Sequence, residues 1–180
     1  MDVTQARALA KECGFDIAMP LDVSELKFRQ DVRDMCSPDM CPQGYGKSWS
    51  CPPEAPSIED LREKAHSYSK GILVQTVGQL EDSFDFESIA ETTRIHSQKV
   101  ICIADKINEA TDGEGLTLGA GACPRCASCS YPDEECLFPD EKIISMEASG
   151  LLVNQVCTEN GVLYNHGENT IAFTSCCLFN

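Results

Sequence analysis

The sequence of 180 residues lacks any apolar run that approaches the length of a membrane span. Its first residues, Met1 to Arg7, also lack the basic segment followed by an apolar segment that marks a secretory signal. We therefore expect a cytoplasmic protein without a membrane partner. Because thiols stay reduced in that compartment, the cysteines of this chain are expected to bind metal rather than to form disulfides.

Basic residues are few: 14 Lys and Arg stand against 29 Asp and Glu, and the net charge is −15. A chain this acidic repels phosphates, so nucleic acid is not an expected partner. Such a charge keeps a protein soluble, and it also favours docking to a redox partner or enzyme with a basic face. The oligomeric state stays open, and a homo-oligomer is one of the alternatives.

Sequence patterns of common enzyme classes are also missing. There is no P-loop, no dinucleotide-binding fingerprint and no Ser/His/Asp set. Only three histidines are present. His96 lies on the apolar face of a predicted helix and is interpreted as a hydrogen-bonded core residue, whereas His66 is placed on an exposed helix and His166 in a turn. The sequence therefore assigns no catalytic residue.

Cysteine, in contrast, is abundant, with twelve residues, and four of them form the run Cys123-x2-Cys126-x2-Cys129-x6-Cys136. Three regularly spaced thiolates on one loop, with a fourth nearby, match the way proteins hold a [4Fe-4S] cluster. A four-cysteine zinc site more often uses two separate CxxC pairs, and here the first two pairs share Cys126. Arg125, inside the loop, would offset cluster charge or lie on the surface. The spacing favours a cluster over zinc, and zinc over disulfides or free thiols.

A second group, Cys36-x4-Cys41-x9-Cys51, lies in a segment rich in Pro and Gly that also holds Tyr45 and Trp49. Grouped reduced cysteines favour a metal site, and a surface loop with buried free cysteines is the alternative. Only three ligands are local. A more distant cysteine would complete a second [4Fe-4S] cluster, and the candidates are Cys13, Cys157, Cys176 and Cys177. Without one, an iron would stay open to act as a Lewis acid on a substrate.

The periodicity predicts one α+β or α/β domain, residues 1–180, with a small mixed sheet packed by helices. Helices are predicted over 2–13, 57–68, 88–111 and 146–160, with a weaker one over 21–35. The helix over 88–111 opens with a capping box at Ser88 and contains Cys102 as a packing residue. Strands are predicted over 71–78 and 116–123, which form a βαβ crossover with the intervening helix, and over 161–166 and 170–175, which form a hairpin. Residues 36–56 and 121–140 are the predicted metal-binding loops.

The chain resembles a family of small prokaryotic proteins described only as predicted metal-binding proteins of unknown function, and the resemblance covers most of its length. It rests on three segments, which are Cys36-x4-Cys41-x9-Cys51-Pro-Pro with Tyr45-Gly46 and Trp49, Gly-x-Gly-x-Cys123-x2-Cys126-x2-Cys129-x6-Cys136, and Ser145-Met-Glu-Ala-Ser-Gly150. The resemblance implies a cytoplasmic iron–sulfur protein of anaerobic or facultative microbes. It implies no particular reaction.

Three functions follow from these observations. The first is an iron–sulfur protein with two [4Fe-4S] clusters that transfers electrons or serves as the redox partner of a larger enzyme. The second is an enzyme with an open iron at the site of Cys36, Cys41 and Cys51, acting on a sulfur species or a small acid. The third is a zinc-binding structural or interaction protein.

Overall fold

The computed structural model describes every residue from Met1 to Asn180 and contains five α-helices and one sheet of five strands. The helices are α1 (Val3–Glu12), α2 (Gln30–Asp34), α3 (Ile58–His66), α4 (Phe86–Ala110) and α5 (Val153–Glu159). The strands are β1 (Ile17–Leu21), β2 (Lys70–Gln79), β3 (Leu116–Gly119), β4 (Ile144–Ser145) and β5 (Thr170–Phe179). A short 3-10 helix, Val23–Glu25, follows β1. No helix combines the length and the apolar character that crossing a membrane requires.

The sheet is mixed, with the strand order β1-β2-β5-β3-β4. Its first three pairings are antiparallel, and β3 pairs with β4 in parallel. β2 and β3 run in the same direction and are connected by α4, but β5 lies between them and pairs with both. The α+β class with a mixed sheet is therefore confirmed. The predicted βαβ crossover connects two strands that are not neighbours, because β5 lies between them.

Helices cover both faces of the sheet, each over its own apolar core. Because side chains alternate along a strand, Cys176 and Leu178 of β5 face one core, whereas Cys177 and Phe179 face the other. The first core also contains residues of α3 and α5, and the second contains residues of α1 and α4. With both faces covered, the loops at the ends of the strands are the places where a site can be reached.

Some local predictions are wrong. The stretch 21–35 is not one helix, because it contains the end of β1, the 3-10 turn and the short α2. Helix α4 is capped by Asp85, whose side chain accepts a hydrogen bond from the N–H of Ser88 (3.0 Å), so Ser88 lies inside the helix. Gly150, with φ of +86°, interrupts the predicted helix over 146–160. Residues 161–166 form no strand, and β5 pairs with β2 and β3 instead of forming a hairpin.

A disulfide joins Cys13, at the end of α1, to Cys102 of α4. Two expectations are therefore wrong: Cys13 has no thiolate to offer a metal, and Cys102 is more than a packing residue. The expectation that cysteines avoid disulfides also fails for this pair. The sequence could not pair them, because 89 residues separate the two and only the packing of α1 on α4 brings them together. The other ten cysteines are free.

Candidate metal centre

Two long connections without helices or strands hold seven of the free cysteines. The first cysteine loop, residues 36–56, precedes α3, and the second cysteine loop, residues 120–143, connects β3 to its parallel neighbour β4. Irregular connections of this length are uncommon in compact domains and are mostly functional. The second cysteine loop adds a single residue, Ile143, to the buried core. Its folded form therefore needs support other than hydrophobic burial.

One pocket of the second cysteine loop is lined by Cys123, Cys126, Cys129 and Cys136, together with Trp49 from the first cysteine loop. All four thiols are free and partly buried. Burial raises the pKa of Cys126, and the charges of the other three cysteines raise it further, which reflects their proximity. The structure thus brings together all four cysteines of the predicted cluster motif.

Arg125 lines the same pocket and has one side-chain nitrogen without a partner. The side chain is 8% exposed, its Nη1 atom pairs with the carboxylates of Asp105 and Glu141, and its Nε atom donates to the carbonyl oxygen of Glu141 (3.2 Å). Nη2 is buried and finds no acceptor. A buried donor left unpaired costs about 1–3 kcal/mol. The sulfur atoms of a cluster would supply the missing acceptor, so the residues present fit an anionic, sulfur-rich group.

In the first cysteine loop the thiols lie around Gly44. A Cβ atom at this position would lie 3.0 Å from Sγ of Cys41 and 3.6 Å from Sγ of Cys51, so glycine leaves space between two thiols. The N–H groups of Gly44 (3.1 Å) and Tyr45 (2.9 Å) both donate to the carbonyl oxygen of Cys41, which holds the turn. Burial and then the charge of Cys41 raise the pKa of Cys36. The three predicted ligands are therefore neighbours.

Arg33, in α2, is a partly buried cation beside these thiols. Its Nη1 atom donates to the carbonyl oxygen of Ala148, its Nη2 atom donates to that of Ala55 (3.1 Å), and its own carbonyl oxygen accepts the N–H of Cys36 (2.9 Å). No carboxylate pairs with it. Burial lowers the pKa of Arg33, whereas the charges of Cys36 and Cys51 raise it. A cation in this position favours thiolates over thiols and would offset the charge of a metal–thiolate group.

Glu147 is a further ionisable residue beside the first cysteine loop, and cysteine spacing alone does not identify it. It lies in the turn between β4 and α5, is partly buried and forms no ion pair. Burial raises the pKa of Glu147, and its charge is one of those that raise the pKa of Cys36. The turn that holds Glu147 lies beside that thiol, because Arg33 contacts both the next residue, Ala148, and the backbone of Cys36. A signal existed in the sequence, because the segment Ser145–Gly150 is one of those that carry the family resemblance.

The two cysteine loops touch each other. Oγ of Ser50 accepts a hydrogen bond from the N–H of Cys123 (3.0 Å), and the indole N–H of Trp49 donates to the carbonyl oxygen of Glu134 (3.1 Å). The Trp49 ring also packs edge-on against Tyr131, with 4.9 Å between the ring centroids. Because Cys51 directly follows Ser50, this hydrogen bond brings the backbone of Cys51 close to that of Cys123.

The four candidates for a further thiolate lie outside the first cysteine loop. Cys13 is in the disulfide. Cys157, Cys176 and Cys177 are fully buried in the apolar cores. Burial raises the pKa of all three thiols, to about 12 for Cys177, so they stay protonated and act as packing residues. The first cysteine loop therefore has three local cysteines and no fourth.

The side chains of the two loops do not form a ready site for a single metal ion. No group of three or more His, Cys, Asp and Glu side chains is gathered closely enough to hold one metal ion. A zinc ion with Zn–S bonds of about 2.3 Å places its sulfur ligands about 3.8 Å apart. In a [4Fe-4S] cluster each cysteine binds a different iron, so the thiols stand farther apart. The thiols of both loops would therefore have to come closer together to bind a single ion.

Two loops rich in free cysteine, each next to a partly buried arginine, fit a metal-binding role. A family model described as "Predicted metal-binding protein (DUF2284)" matches residues 19–179. The chain therefore belongs to this family, and the resemblance to an uncharacterised family of metal-binding proteins is confirmed. No curated protein and no solved structure matches the chain.

Proposed function

We propose that the protein is an iron–sulfur protein with two [4Fe-4S] clusters and that it carries electrons to or from a larger enzyme. One cluster is bound in the second cysteine loop by Cys123, Cys126, Cys129 and Cys136. The other is bound in the first cysteine loop, where the thiolates are those of Cys36, Cys41 and Cys51. Bound clusters supply one-electron chemistry, and the chain supplies the ligands, hydrogen bonds and charges that set their potentials.

The observation that carries this proposal is the contact between the two cysteine loops. The hydrogen bond from the N–H of Cys123 to Ser50 and the packing of Trp49 against Tyr131 join one set of thiols to the other. Two redox centres that exchange electrons have to lie close together, whereas two independent structural metal sites do not. Direct contact between two cysteine loops that are distant in sequence is thus expected of a relay.

The choice of a cluster over zinc rests on the cysteine spacing and on Arg125. Four cysteines at the spacing Cys123-x2-Cys126-x2-Cys129-x6-Cys136 line one pocket. Arg125 lines the same pocket, and its buried Nη2 atom has no acceptor, which a cluster sulfur would provide. Both features favour a group that is negatively charged and rich in sulfur.

A partner with a basic face is part of this proposal. Apolar side chains next to the cysteines are exposed: Met40 precedes Cys41, and Leu137 and Phe138 follow Cys136. Exposed apolar groups beside a site favour docking of another protein. The net charge of −15 selects for a basic partner surface and speeds the encounter at low salt.

The test is anaerobic quantitation of iron and sulfide together with EPR on the reduced protein. We expect about eight irons per chain, and about four in either Cys36→Ser or Cys123→Ser. Cys157→Ser is the matched control, because it removes a buried thiol outside the loops, and it should keep the full count. Bound zinc with little iron in an anaerobic preparation would refute the proposal. A count of four irons in the unaltered chain would refute the second cluster.

A second candidate function is an enzyme whose first cysteine loop holds an iron open to a sulfur species or a small acid. The absence of a fourth cysteine beside Cys36, Cys41 and Cys51 favours it. Added sulfide or a small carboxylic acid should then change the EPR spectrum of this cluster. In an electron carrier with a fully liganded cluster, neither addition should have an effect.

A further inference from the structure

The first cysteine loop offers three thiolates, whereas a [4Fe-4S] cluster presents four irons. We propose that Glu147 is the fourth protein ligand of this site and binds the remaining iron through its carboxylate. This inference rests on the proposed function, since it requires a cluster in the first cysteine loop. It assigns a ligand that the cysteine pattern does not contain, in a turn far from the loop in sequence.

Hydrogen bonds and the burial of neighbouring residues fix the turn that carries Glu147. The neighbours on either side, Met146 and Ala148, are 0% and 2% exposed and belong to the first apolar core. The turn is held by the N–H of Ala148, which donates to Oγ of Ser145 (3.0 Å), and by the N–H of Ser149, which donates to the carbonyl oxygen of Ser145 (3.0 Å). Glu147, between two core residues, is the partly buried member of this turn.

Arg33 fixes this turn beside the cysteines. One end of its guanidinium binds the carbonyl oxygen of Ala148, and the other binds that of Ala55, at the end of the first cysteine loop. The backbone of Arg33 is also hydrogen-bonded to Cys36 (2.9 Å). Glu147 directly precedes Ala148, so a single arginine connects the carboxylate-bearing turn with the loop of three thiols.

No cation of the protein balances the charge of a Glu147 carboxylate. The carboxyl group is partly buried, and no Lys, Arg or His forms an ion pair with it. Ser145 is a hydrogen-bonding neighbour of this carboxyl group but brings no charge, whereas a bound metal ion would balance the charge of the carboxylate. Iron accepts carboxylate oxygen in proteins. None of the three free cysteines outside the loops can reach this iron, because all three are fully buried in the apolar cores.

The test uses Cys123→Ser as the parent, so that only the cluster of the first cysteine loop is present. Glu147→Gln and Glu147→Ala are compared with Glu147→Cys, which supplies a fourth thiolate. Glu54→Ala is the matched control, because Glu54 is an exposed carboxylate of the same loop. Iron and sulfide are counted before and after mild anaerobic oxidation with ferricyanide, and EPR follows the formation of a three-iron cluster.

Loss of one iron per cluster should be at least about tenfold faster in Glu147→Gln and Glu147→Ala than in the parent, and slower in Glu147→Cys. A tenfold change corresponds to about 1.4 kcal/mol of ligand stabilisation. Glu54→Ala should match the parent. Equal rates of iron loss in the parent, Glu147→Gln and Glu147→Ala would show that Glu147 is not a ligand, without contradicting the presence of the cluster. A parent that binds no iron in this loop would instead overturn the proposed cluster, so the two failures are distinguishable.

Discussion

Replacing Arg125 with methionine should lower the reduction potential of the cluster proposed in the second cysteine loop. Methionine keeps much of the length of the side chain but removes the charge and the unpartnered Nη2–H of this pocket-lining residue. A positive charge and an N–H donor both stabilise the reduced cluster more than the oxidised one, because the reduced cluster carries one more negative charge. Their loss therefore makes reduction harder.

The size of the effect follows from the surroundings of Arg125. At an assumed separation of about 6 Å and an effective dielectric constant of about 20, one unit charge contributes about 3 kcal/mol to a one-electron reduction. The carboxylates of Asp105 and Glu141 pair with the other side of the guanidinium and cancel about half of this. The remaining value, about 1.4 kcal/mol, corresponds to about 60 mV for a one-electron couple.

The assay is an anaerobic redox titration followed by EPR, with Cys36→Ser as the parent so that a single cluster contributes the signal. Asp105→Asn is the control that should shift the reduction potential in the opposite direction. It keeps Arg125 and removes one compensating carboxylate, so it should raise the potential. A potential in Arg125→Met that equals or exceeds that of the parent would refute the reasoning, because it would show that Nη2 does not act on the cluster.

Three further predictions concern the rest of the molecule. Trp49 is the only tryptophan and lines the pocket of the second cysteine loop, so its fluorescence should increase when a chelator removes the metal, while far-UV circular dichroism keeps the signal of the sheet and helices. Burial and the nearby charge of Lys99 lower the pKa of His96 to about 4 from 6.5, so the unfolded chain binds an extra proton between these values. Stability should therefore fall on acidification, by about 2.5 kcal/mol between pH 7 and 4.5 in urea titrations, and His96→Gln should lose most of this dependence. Gly119→Ala should cost about 1–3 kcal/mol and lower Tm, because the new Cβ would lie 2.8 Å from Cγ2 of Ile143.

Predictions from sequence succeeded where one short pattern determines the structure. The apolar stripe of α3 after its Ser57 cap and the run of apolar residues in β2 are local signals, and both elements are present. The position of β5 in the sheet could not be predicted, because its sequence does not determine which strands it pairs with. Likewise, Asp85 and Ser88 are both acceptable N-caps, and only the packing of the helix decides between them.

The candidate site also combines local features that the sequence predicted with long-range contacts that it could not predict. Spacing along the chain predicted two groups of cysteines, and each group lies within one loop, since residues of one loop are close in sequence. It could not identify Arg33 or Glu147, because each reaches the first cysteine loop from another element. The contact of Ser50 with Cys123 was also invisible, as it depends on how α3 and β3 are placed by the sheet.

We expect the two arginines to set the direction of electron flow between the two proposed clusters. In a chain of net charge −15, Arg33 and Arg125 are placed partly inside, where solvent ions screen their charges least. Arg125 shares its charge with two carboxylates, whereas Arg33 donates only to backbone carbonyl groups. The first cysteine loop therefore has a nearly full positive charge beside its thiols, and the second has only part of one.

With the same type of cluster in both loops, the cluster beside Arg33 should have the higher potential. A carboxylate ligand from Glu147 does not reverse this order through charge, because it replaces one unit of negative ligand charge with another. Redox titrations of Cys36→Ser and Cys123→Ser, each retaining one cluster, should place the first cysteine loop higher by some tens of millivolts, since about 1.4 kcal/mol corresponds to about 60 mV. Electrons would then enter at the second cysteine loop and move to the first. The reverse order of potentials would mean that solvent exposure or hydrogen bonding, rather than these two arginines, sets the difference.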